Sequence, residues 1–487
     1  MTRTPAGGET IRARWLARFG DESALAKRLA WDGRDAAWLE DAPGLMLARM
    51  QRRAARSTAF LQGLDAATGH AALGVREHGP DHEAVTALLC RATGWRPETL
   101  ARLVEQVVRE ADATGGGPVQ AALARTTLGA AVAAAREAST RLARDSAHLG
   151  AVLGFDAASL RRVEATGDPH AGGRRVLRLE DGAGVAVYLK PRPPDGERLL
   201  ARLASSLPGG GGLARVKLLV RRSWFWMAEA QHAVRDGGAE QAGALLAIAD
   251  VVGAVDLHTE NVMPTATGPA VLDAEMALHP DLPLDLVSPP RRSAARSLRC
   301  SPLRTGLLPE PDYDAHLCGL SGWLPAAGPD AAAFTNRLLR GYRQAFRQLV
   351  SNSSHDALGT VRGAVRLLVR PTHAYARVLA ALRDTGRAKD PAAAFLLLET
   401  LRVGMARNAK RRPVLWPLPA AEEAALFGGD VPRLWMAWDG LDIHEGRTGP
   451  TGAALRISPR DYALARAARL GAMQLATRCV HIRRALL

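Results

Sequence analysis

Two clusters of polar residues follow apolar stretches between residues 251 and 278. Asp256 comes directly after the apolar run at 251–255, and Asn261 follows five positions later. Asp273 and Glu275 end a second short apolar stretch. Carboxylate and amide oxygens are the ligands that Mg²⁺ prefers, and ATP-dependent phosphoryl transfer needs bound metal and a carboxylate near the acceptor hydroxyl. The two clusters therefore predict buried elements that deliver metal-binding groups to a cleft.

The order of these residues along the chain favours phosphoryl transfer. In kinases the catalytic-loop Asp precedes a metal-binding Asn by five positions, and a further metal-binding Asp follows an apolar strand. Asp256 and Asn261 have that spacing, and Asp273 stands at the second position. Glu275, two residues along the same predicted strand, would project on the same side as Asp273. Lys190, at the end of an earlier predicted strand, supplies the cation. Each feature alone would favour a turn, a helix cap or a solvated strand end, and only their combination in this order favours phosphoryl transfer.

Several elements must position these groups. Residues from about 9 to 162 show apolar positions at three- and four-residue steps, which predict a helical region with a break at 115–118. The stretch VLRLEDGAGVAVYLK, residues 176–190, predicts two strands joined by a tight turn, and a third strand is expected around 216–221. Residues 241–255 predict a buried helix. From about residue 291 the spacing predicts helices again.

Composition limits the partners and the compartment. With 487 residues, of which 47% are hydrophobic, the chain can form several subdomains. The net charge of +15 is compatible with nucleotide phosphates, nucleic acid or an acidic peptide. Aromatic residues make up only 5% and no basic block is interleaved with them, so we expect no nucleic-acid partner. A solvated arginine-rich surface is the simpler explanation of the basicity and is favoured over a charged partner.

Cysteine usage and hydropathy predict a cytoplasmic protein without membrane insertion. The four cysteines form no CxxC or Cys-His pair, which argues against a zinc knuckle or a disulfide framework: Cys90, Cys300, Cys318 and Cys479. The N-terminus lacks the apolar region of a signal peptide. The longest apolar run, at 242–255, is interrupted by Asp250 and is too short to span a bilayer.

Four stretches carry a family resemblance: GDPHAGGRRVLRLEDGAGVAVYLKPR, GAVDLHTENVM, AVLDAEMAL and VRLLVRPTHAYA. They resemble the dehydratase part of class II lanthipeptide synthetases, the LanM family, and the similarity extends from about residue 25 to about residue 426. The resemblance implies an α+β fold with a lipid-kinase-like, two-lobed core, in which a small mixed sheet is combined with a helical lobe. The implied domains are an N-terminal helical region at 1–162, an N-lobe at 163–240, and a C-lobe with additional C-terminal helices at 241–487.

The resemblance also implies an activity and partners. LanM dehydratases use ATP and Mg²⁺ to phosphorylate Ser and Thr of a ribosomal precursor peptide, which has a leader and a Ser/Thr-rich core. They then eliminate the phosphate to give dehydroalanine and dehydrobutyrine. Lys190 matches the lysine that contacts the ATP phosphates. The remaining matches are the Asp-x-His-x-x-Asn loop, formed by Asp256, His258 and Asn261, and the metal pair formed by Asp273 and Glu275.

Two further motifs have alternative interpretations. Arg366 and Thr372 match the region that the family uses for elimination, where an Arg and a hydroxyl on the leaving phosphate lower the barrier. From the residues alone, this stretch is an apolar strand or helix stopped by Pro371. Asp168 and His170 fall in the family's Gly-Asp-x-His motif, and a turn at the entry to the sheet is the competing interpretation.

The sequence leaves the final products and two other functions open. The zinc ligands of the family's C-terminal cyclase are not present near Cys479, so we expect a stand-alone dehydratase whose products pass to a separate cyclase, another tailoring enzyme or a spontaneous reaction. One alternative function is a kinase for a peptide or small molecule that lacks the elimination step. The other is a non-catalytic scaffold that binds the precursor.

Overall fold

The protein is a mixed α+β molecule with small antiparallel sheets among many helices. The computed structural model describes residues 10–66, 75–76, 79–80, 82–112, 117–208, 212–233, 238–282, 301–310, 315–325, 329–353, 358–384, 390–407, 414–446 and 449–487. In this part of the chain, no helix is both long enough and apolar enough to cross a membrane.

Helices dominate the N-terminal part, as the apolar spacing predicts. They are α1 (Ile11–Phe19), α2 (Glu22–Trp31), α3 (Ala36–Ala66), α4 (His82–Thr93), α5 (Pro97–Glu110) and α6 (Pro118–Leu153), with a hairpin of β1 (Val75–Arg76) and β2 (Gly79–Pro80) after α3. The predicted break at 115–118 lies partly outside the described residues. Gly117 and Pro118 form the start of α6, where proline lacks only an N–H that would have no partner.

A five-stranded sheet follows, and it is wholly antiparallel. Its strands are β3 (Arg162–Ala165), β4 (Leu177–Glu180), β5 (Ala186–Lys190), β6 (Leu218–Val220) and β7 (Phe225–Ala228), in the order β3-β4-β5-β7-β6. The prediction of a mixed sheet is therefore wrong. Helix α7 (Asp195–Ser205) connects β5 to β6, which lies at the edge of the sheet. Strand β7 then lies between β5 and β6 and pairs antiparallel with both.

The predicted buried helix is α8 (Ala239–Val252), and it leads to a hairpin. Gly253 ends α8 in the left-handed conformation. The hairpin consists of β8 (Val262–Thr265) and β9 (Gly268–Val271). Helix α9 (Pro329–Gln348) packs closely on α8, because a Cβ at Gly243 would lie 2.1 Å from the Leu338 carbonyl oxygen. This close packing makes α8 a rigid support for the loop that follows it.

The C-terminal part contains a second sheet that the helical spacing did not predict. Strands β10 (Ala364–Arg366), β11 (Leu434–Ala437), β12 (Asp442–Glu445) and β13 (Pro450–Ala454) lie in sequential, antiparallel order. The helices here are α10 (Thr372–Arg383), α11 (Pro391–Arg407), α12 (Leu418–Leu426), α13 (Pro459–Arg469) and α14 (Ala472–Leu486). The strands have three to five residues each, too few for an alternating pattern to stand out.

The hydrophobic core continues across one predicted domain boundary. Leu128 of α6 and Leu179 of β4 belong to the same buried cluster, so the N-terminal helices and the five-stranded sheet share a core. A second cluster surrounds α8 and α9. The predicted domain boundaries at 162 and 240 stay predictions.

Candidate functional site

All ten predicted site residues line one cleft of about 720 Å³. The five-stranded sheet and the loop between β3 and β4 form one wall, and the segment from residue 255 to 276 forms the other. The start of α10 and residues of or next to the second sheet complete the lining. The ten residues are Asp168, His170, Lys190, Asp256, His258, Asn261, Asp273, Glu275, Arg366 and Thr372.

The loop after α8 presents Asp256 to the cleft in a strained conformation. Asp256 has φ of 66°, which non-glycine residues seldom adopt. The Asn261 side-chain amide nitrogen donates to the Asp256 carbonyl oxygen at 2.8 Å and lies 3.2 Å from His258 Nε2. The same His258 nitrogen lies 3.8 Å from the Asp256 carboxylate. Burial raises the pKa of Asp256 to about 6.

The β8–β9 hairpin brings Asp273 beside Asn261. The Leu272 and Asp273 backbone N–H groups both donate to the Asn261 carbonyl oxygen, at 2.8 and 3.3 Å. The prediction that Asp273 and Glu275 share a strand is wrong, since β9 ends at Val271 and the chain turns there. The turn is closed by the Glu275 N–H, which donates to the Asp273 carboxylate at 3.0 Å. Asn261 and Asp273 thus meet although twelve positions separate them.

Two cations bind the Asp273 carboxylate. Lys190 Nζ, at the end of β5, lies 2.7 Å from one oxygen, and Arg192 Nη2 lies 2.6 Å from the other. Arg192 also pairs with Glu197, on the first turn of α7. Burial opposes ionisation of Asp273, but Arg192 and Lys190 outweigh it and hold the pKa of this carboxyl below its usual value.

The Glu275 carboxylate is held by two more arginines. Arg366 Nη1 donates to one oxygen at 2.6 Å, and Arg433 Nη2 lies 3.1 Å from the other. The backbone joins the same residues, because the Arg366 N–H donates to the Glu275 carbonyl oxygen at 2.8 Å. Burial opposes ionisation, yet the three arginines including Arg192 hold the pKa of Glu275 well below its ordinary value. Four cations therefore converge on two carboxylates.

Asp168 and His170 lie in the loop between β3 and β4, which contains the predicted turn, while the role of the motif in the site stays a prediction. The His170 and Arg174 backbones bond to each other around a turn, and the loop also lines the cleft. His170 Nδ1 lies 2.7 Å from the Val431 carbonyl oxygen, so Nδ1 carries the proton. Burial lowers the pKa of His170 to about 3, which makes it neutral at physiological pH. Burial also raises the pKa of Asp168.

Arg366 and Thr372 line the cleft from the second sheet and the start of α10. Arg366 is the last residue of β10, and Thr372 is the first residue of α10. Between them, Arg370 points elsewhere and donates to the buried Glu422 at 2.8 Å. Tyr375 is buried and also donates to Glu422, whereas His373 is exposed. Only the predicted pair, Arg366 and Thr372, lines the cleft in this segment.

A family model described as "Domain of unknown function (DUF4135)" matches residues 118–324 and 324–436, which is more than half of the chain. The chain belongs to this family. DUF4135 is associated with lanthionine synthetase C-like (LanM) proteins. The match covers every residue that lines the cleft up to Arg433. No curated protein matches the chain.

Asp273, Glu275 and Asn261 of this DUF4135 member present the kind of oxygen donors that Mg²⁺ prefers, although each carboxylate oxygen of Asp273 and Glu275 contacts a Lys or Arg. Within the described ranges, no group of three or more His, Cys, Asp or Glu residues is placed to hold a metal. The predicted set instead combines two carboxylates, Asp273 and Glu275, with the amide of Asn261. Mg²⁺ is usually bound by one or two carboxylates and completed by water and substrate phosphate. Asn261 uses its amide nitrogen for the contacts described above, which leaves its oxygen as the ligating atom.

Sequence reasoning missed three residues that shape the site. Arg192 stands two positions after Lys190 in the stretch KPR, and this spacing was a usable signal, since alternate residues share a face. Glu197 follows at the start of a helix, but nothing in the sequence links it to Arg192. Arg433 lies 158 positions from Glu275, and only the fold brings them together.

Proposed function

We propose that this protein is a dehydratase that phosphorylates Ser and Thr of a precursor peptide with ATP and then eliminates the phosphate. The observation that carries the proposal is the convergence of Lys190, Arg192, Arg366 and Arg433 on two carboxylates, next to Asp256, in one cleft. A cluster of preorganised cations is what a transferring phosphoryl group requires. Membership of a LanM-associated family agrees with this chemistry.

The core of the proposed enzyme is a lipid-kinase-like pair of lobes with ATP between them. The antiparallel sheet that carries Lys190 supports this arrangement, as does the hairpin that joins Asn261 to Asp273. The lining of the cleft combines apolar side chains, among them Val176, Met227 and Met263, with the cationic groups. A nucleotide has the matching polarity, because its base is flat and weakly polar and its phosphates are anionic.

In the first step, a substrate hydroxyl oxygen attacks the γ-phosphorus of ATP. The new O–P bond forms as the bond to the β-phosphate oxygen breaks, and ADP leaves. Asp256 accepts the hydroxyl proton, and Lys190 and Arg192 neutralise charge on the phosphates. Asn261, Asp273 and Glu275 would hold Mg²⁺, which supplies further charge neutralisation at the phosphate oxygens.

In the second step, a base removes the Cα proton of the phosphorylated residue. The electron pair forms the Cα=Cβ bond, and the Cβ–O bond breaks to release inorganic phosphate. Arg366 and Thr372 donate to the leaving oxygens, which stabilises the charge that develops on them. Arg366 contacts Glu275 of the proposed metal pair, and Thr372 lines the same cleft, which supports one site for both steps.

The test is mass spectrometry of a co-expressed Ser/Thr-rich precursor peptide with the wild type and Arg366→Met. We expect losses of about 18 Da per modified residue with the wild type and gains of about 80 Da with the variant, because phosphorylation persists without elimination. Arg362→Met is the matched control, since Arg362 is exposed four positions before Arg366. It should dehydrate the peptide like the wild type. An Arg366→Met enzyme that still dehydrates would overturn the role of this arginine.

One observation favours a kinase without elimination. Arg366 is bound to Glu275 through both its side chain and its backbone, and a role in holding a metal ligand would explain this contact by itself. Gains of about 80 Da with the wild type would establish that function. A non-catalytic scaffold predicts no stabilisation by Mg-ATP in thermal unfolding, whereas either enzyme is stabilised by ligand binding.

A further inference from the structure

A second cavity, of about 610 Å³, lies in a groove between α9 and α14. It shares no lining residue with the cleft. Phe346 and Val350 form the apolar part of one side, and Leu475 and Val480 form the apolar part of the other. A groove of this size between two helices can take several apolar side chains of a partner.

Helix α14 and the residue after it expose a stripe of apolar residues, of which Ala476 and Val480 line this groove. Met473, Val480 and Leu487 are 80%, 48% and 68% exposed, and Ala476 is exposed between the first two. The three large residues are spaced by seven positions, with Ala476 at the intermediate position. This is the spacing that places residues on one face for packing against another helix. Exposed apolar patches of this kind mark interaction surfaces.

The rim of the groove is basic. Arg343 and Arg347 stand one turn apart on α9, and Arg483 stands on α14; no Asp or Glu lines the groove. Among the described residues, neither Arg343 nor Arg347 forms an ion pair. Arg483 makes one contact, at 3.4 Å, with the Asn336 side-chain oxygen. The rim thus presents positive charge that no acidic group of the groove offsets.

We propose that this groove, with α14 as its apolar wall, docks an amphipathic helix of an acidic peptide. The apolar face of the partner helix would pack on Ala476 and Val480, and its acidic residues would contact Arg343 and Arg347. A second copy of this chain fits less well, because a two-fold interface on this groove would place two basic rims within one contact surface. The net charge of +15 adds to that repulsion. This inference goes beyond the proposed function, since the groove lies outside the cleft.

The test uses a labelled synthetic helix of about three heptads, with Leu at the packing positions and Glu beside them. Fluorescence anisotropy with the full chain should show saturable binding that weakens with added salt. The double variant Arg343→Glu/Arg347→Glu should bind about tenfold or more weakly, and a probe with Lys in place of Glu should prefer this variant. The control Arg337→Glu/Arg340→Glu changes the net charge equally on α9 outside the groove and should bind like the wild type.

Three results would each overturn the proposal. The first is no saturable binding, or equal binding of a probe of the same composition with scrambled order. The second is binding that neither the double variant nor Val480→Asp weakens, although both remain folded by circular dichroism. The third is a wild-type dimer in sedimentation that Val480→Asp dissociates, because a second copy would then cover the stripe. ATP turnover should be unchanged in both variants, so failure here is distinct from failure of the proposed function.

Discussion

Asp273 is the residue on which most of the proposed chemistry depends. Its two oxygens bind Lys190 and Arg192, and its turn orients Glu275. A carboxylate so placed does two things in the proposal: it holds the two cations ready for phosphate, and it ligates the metal. Both roles require the negative charge of Asp273, whereas most of the packing around this side chain does not.

The substitution Asp273→Asn should lower the rate of peptide phosphorylation by about 10²–10³-fold or more, because it removes the charge that preorganises the site. The protein should remain folded, since the amide fits the same space. Peptide phosphorylation followed by mass spectrometry gives the rate, and circular dichroism gives the fold. Asp439→Asn makes the same chemical change at an exposed turn after β11 and should leave the rate unchanged. Normal turnover by Asp273→Asn would show that the metal and phosphate site lies elsewhere.

The loop between β3 and β4 is held in place by a residue far away along the chain. The Gly172 and Gly173 N–H groups donate to the buried Asp430 carboxylate at 2.6 and 2.9 Å. Gly173 has φ of 78°, and a Cβ there would lie 2.6 Å from the Ala130 carbonyl carbon, so this position requires glycine. One carboxylate from the segment before β11 thus fixes a loop of the first sheet over the cleft.

The substitution Asp430→Ala should therefore loosen the loop without moving the cleft residues of the other wall. Two backbone N–H groups lose their acceptor, at a cost of about 1–3 kcal/mol for each buried group. We expect faster hydrogen exchange at Gly172 and Gly173, measured by mass spectrometry of peptides from this loop. Asp430→Asn keeps one acceptor oxygen and should show an intermediate rate. Unchanged exchange in Asp430→Ala would mean that other contacts hold the loop.

The sequence predicted the local elements well and the distant pairings poorly. Strands β4 and β5, helix α8 and the clustering of Asp256 with Asn261 follow from patterns within about thirty residues, where periodicity and spacing are informative. Arg433 beside Glu275 and β10 beside β11 depend on residues far apart along the chain. Such contacts are fixed by tertiary packing, which no local pattern encodes. For the same reason, the sequence alone did not predict which arginines contact the carboxylates of the site.

Across the whole molecule, buried charges join the C-terminal helices to the helix that precedes the site. Asp250 of α8 accepts from Tyr342 of α9, Arg466 of α13 and Arg478 of α14, each at 2.7 Å. Helices α13 and α14 lie beyond the part that matches the family model. They nevertheless hold α8, and α8 ends four residues before Asp256. The position of Asp256 therefore depends on packing far from the cleft.

Buried histidines should make the stability of the whole fold depend on pH. His279 accepts from the Leu368 N–H at 2.9 Å, and burial, aided by the nearby Arg304, lowers its pKa to about 3. The folded chain keeps this side chain neutral, while the unfolded chain takes up a proton below a pH of about 6.5. The unfolded state binds more protons between these two pKa values, so the free energy of unfolding falls as the pH decreases through this range.

The substitution His279→Gln should remove this contribution while retaining an acceptor for Leu368. Between pH 7.5 and 5.5 the wild type should lose about 1.4 kcal/mol more unfolding free energy than the variant. Urea unfolding at the two pH values measures the difference, and the exposed His373→Gln should behave like the wild type. Because His170 is also held neutral, the variant should retain part of the pH dependence. An identical loss in wild type and His279→Gln would mean that His279 takes up its proton in the folded state as readily as in the unfolded chain.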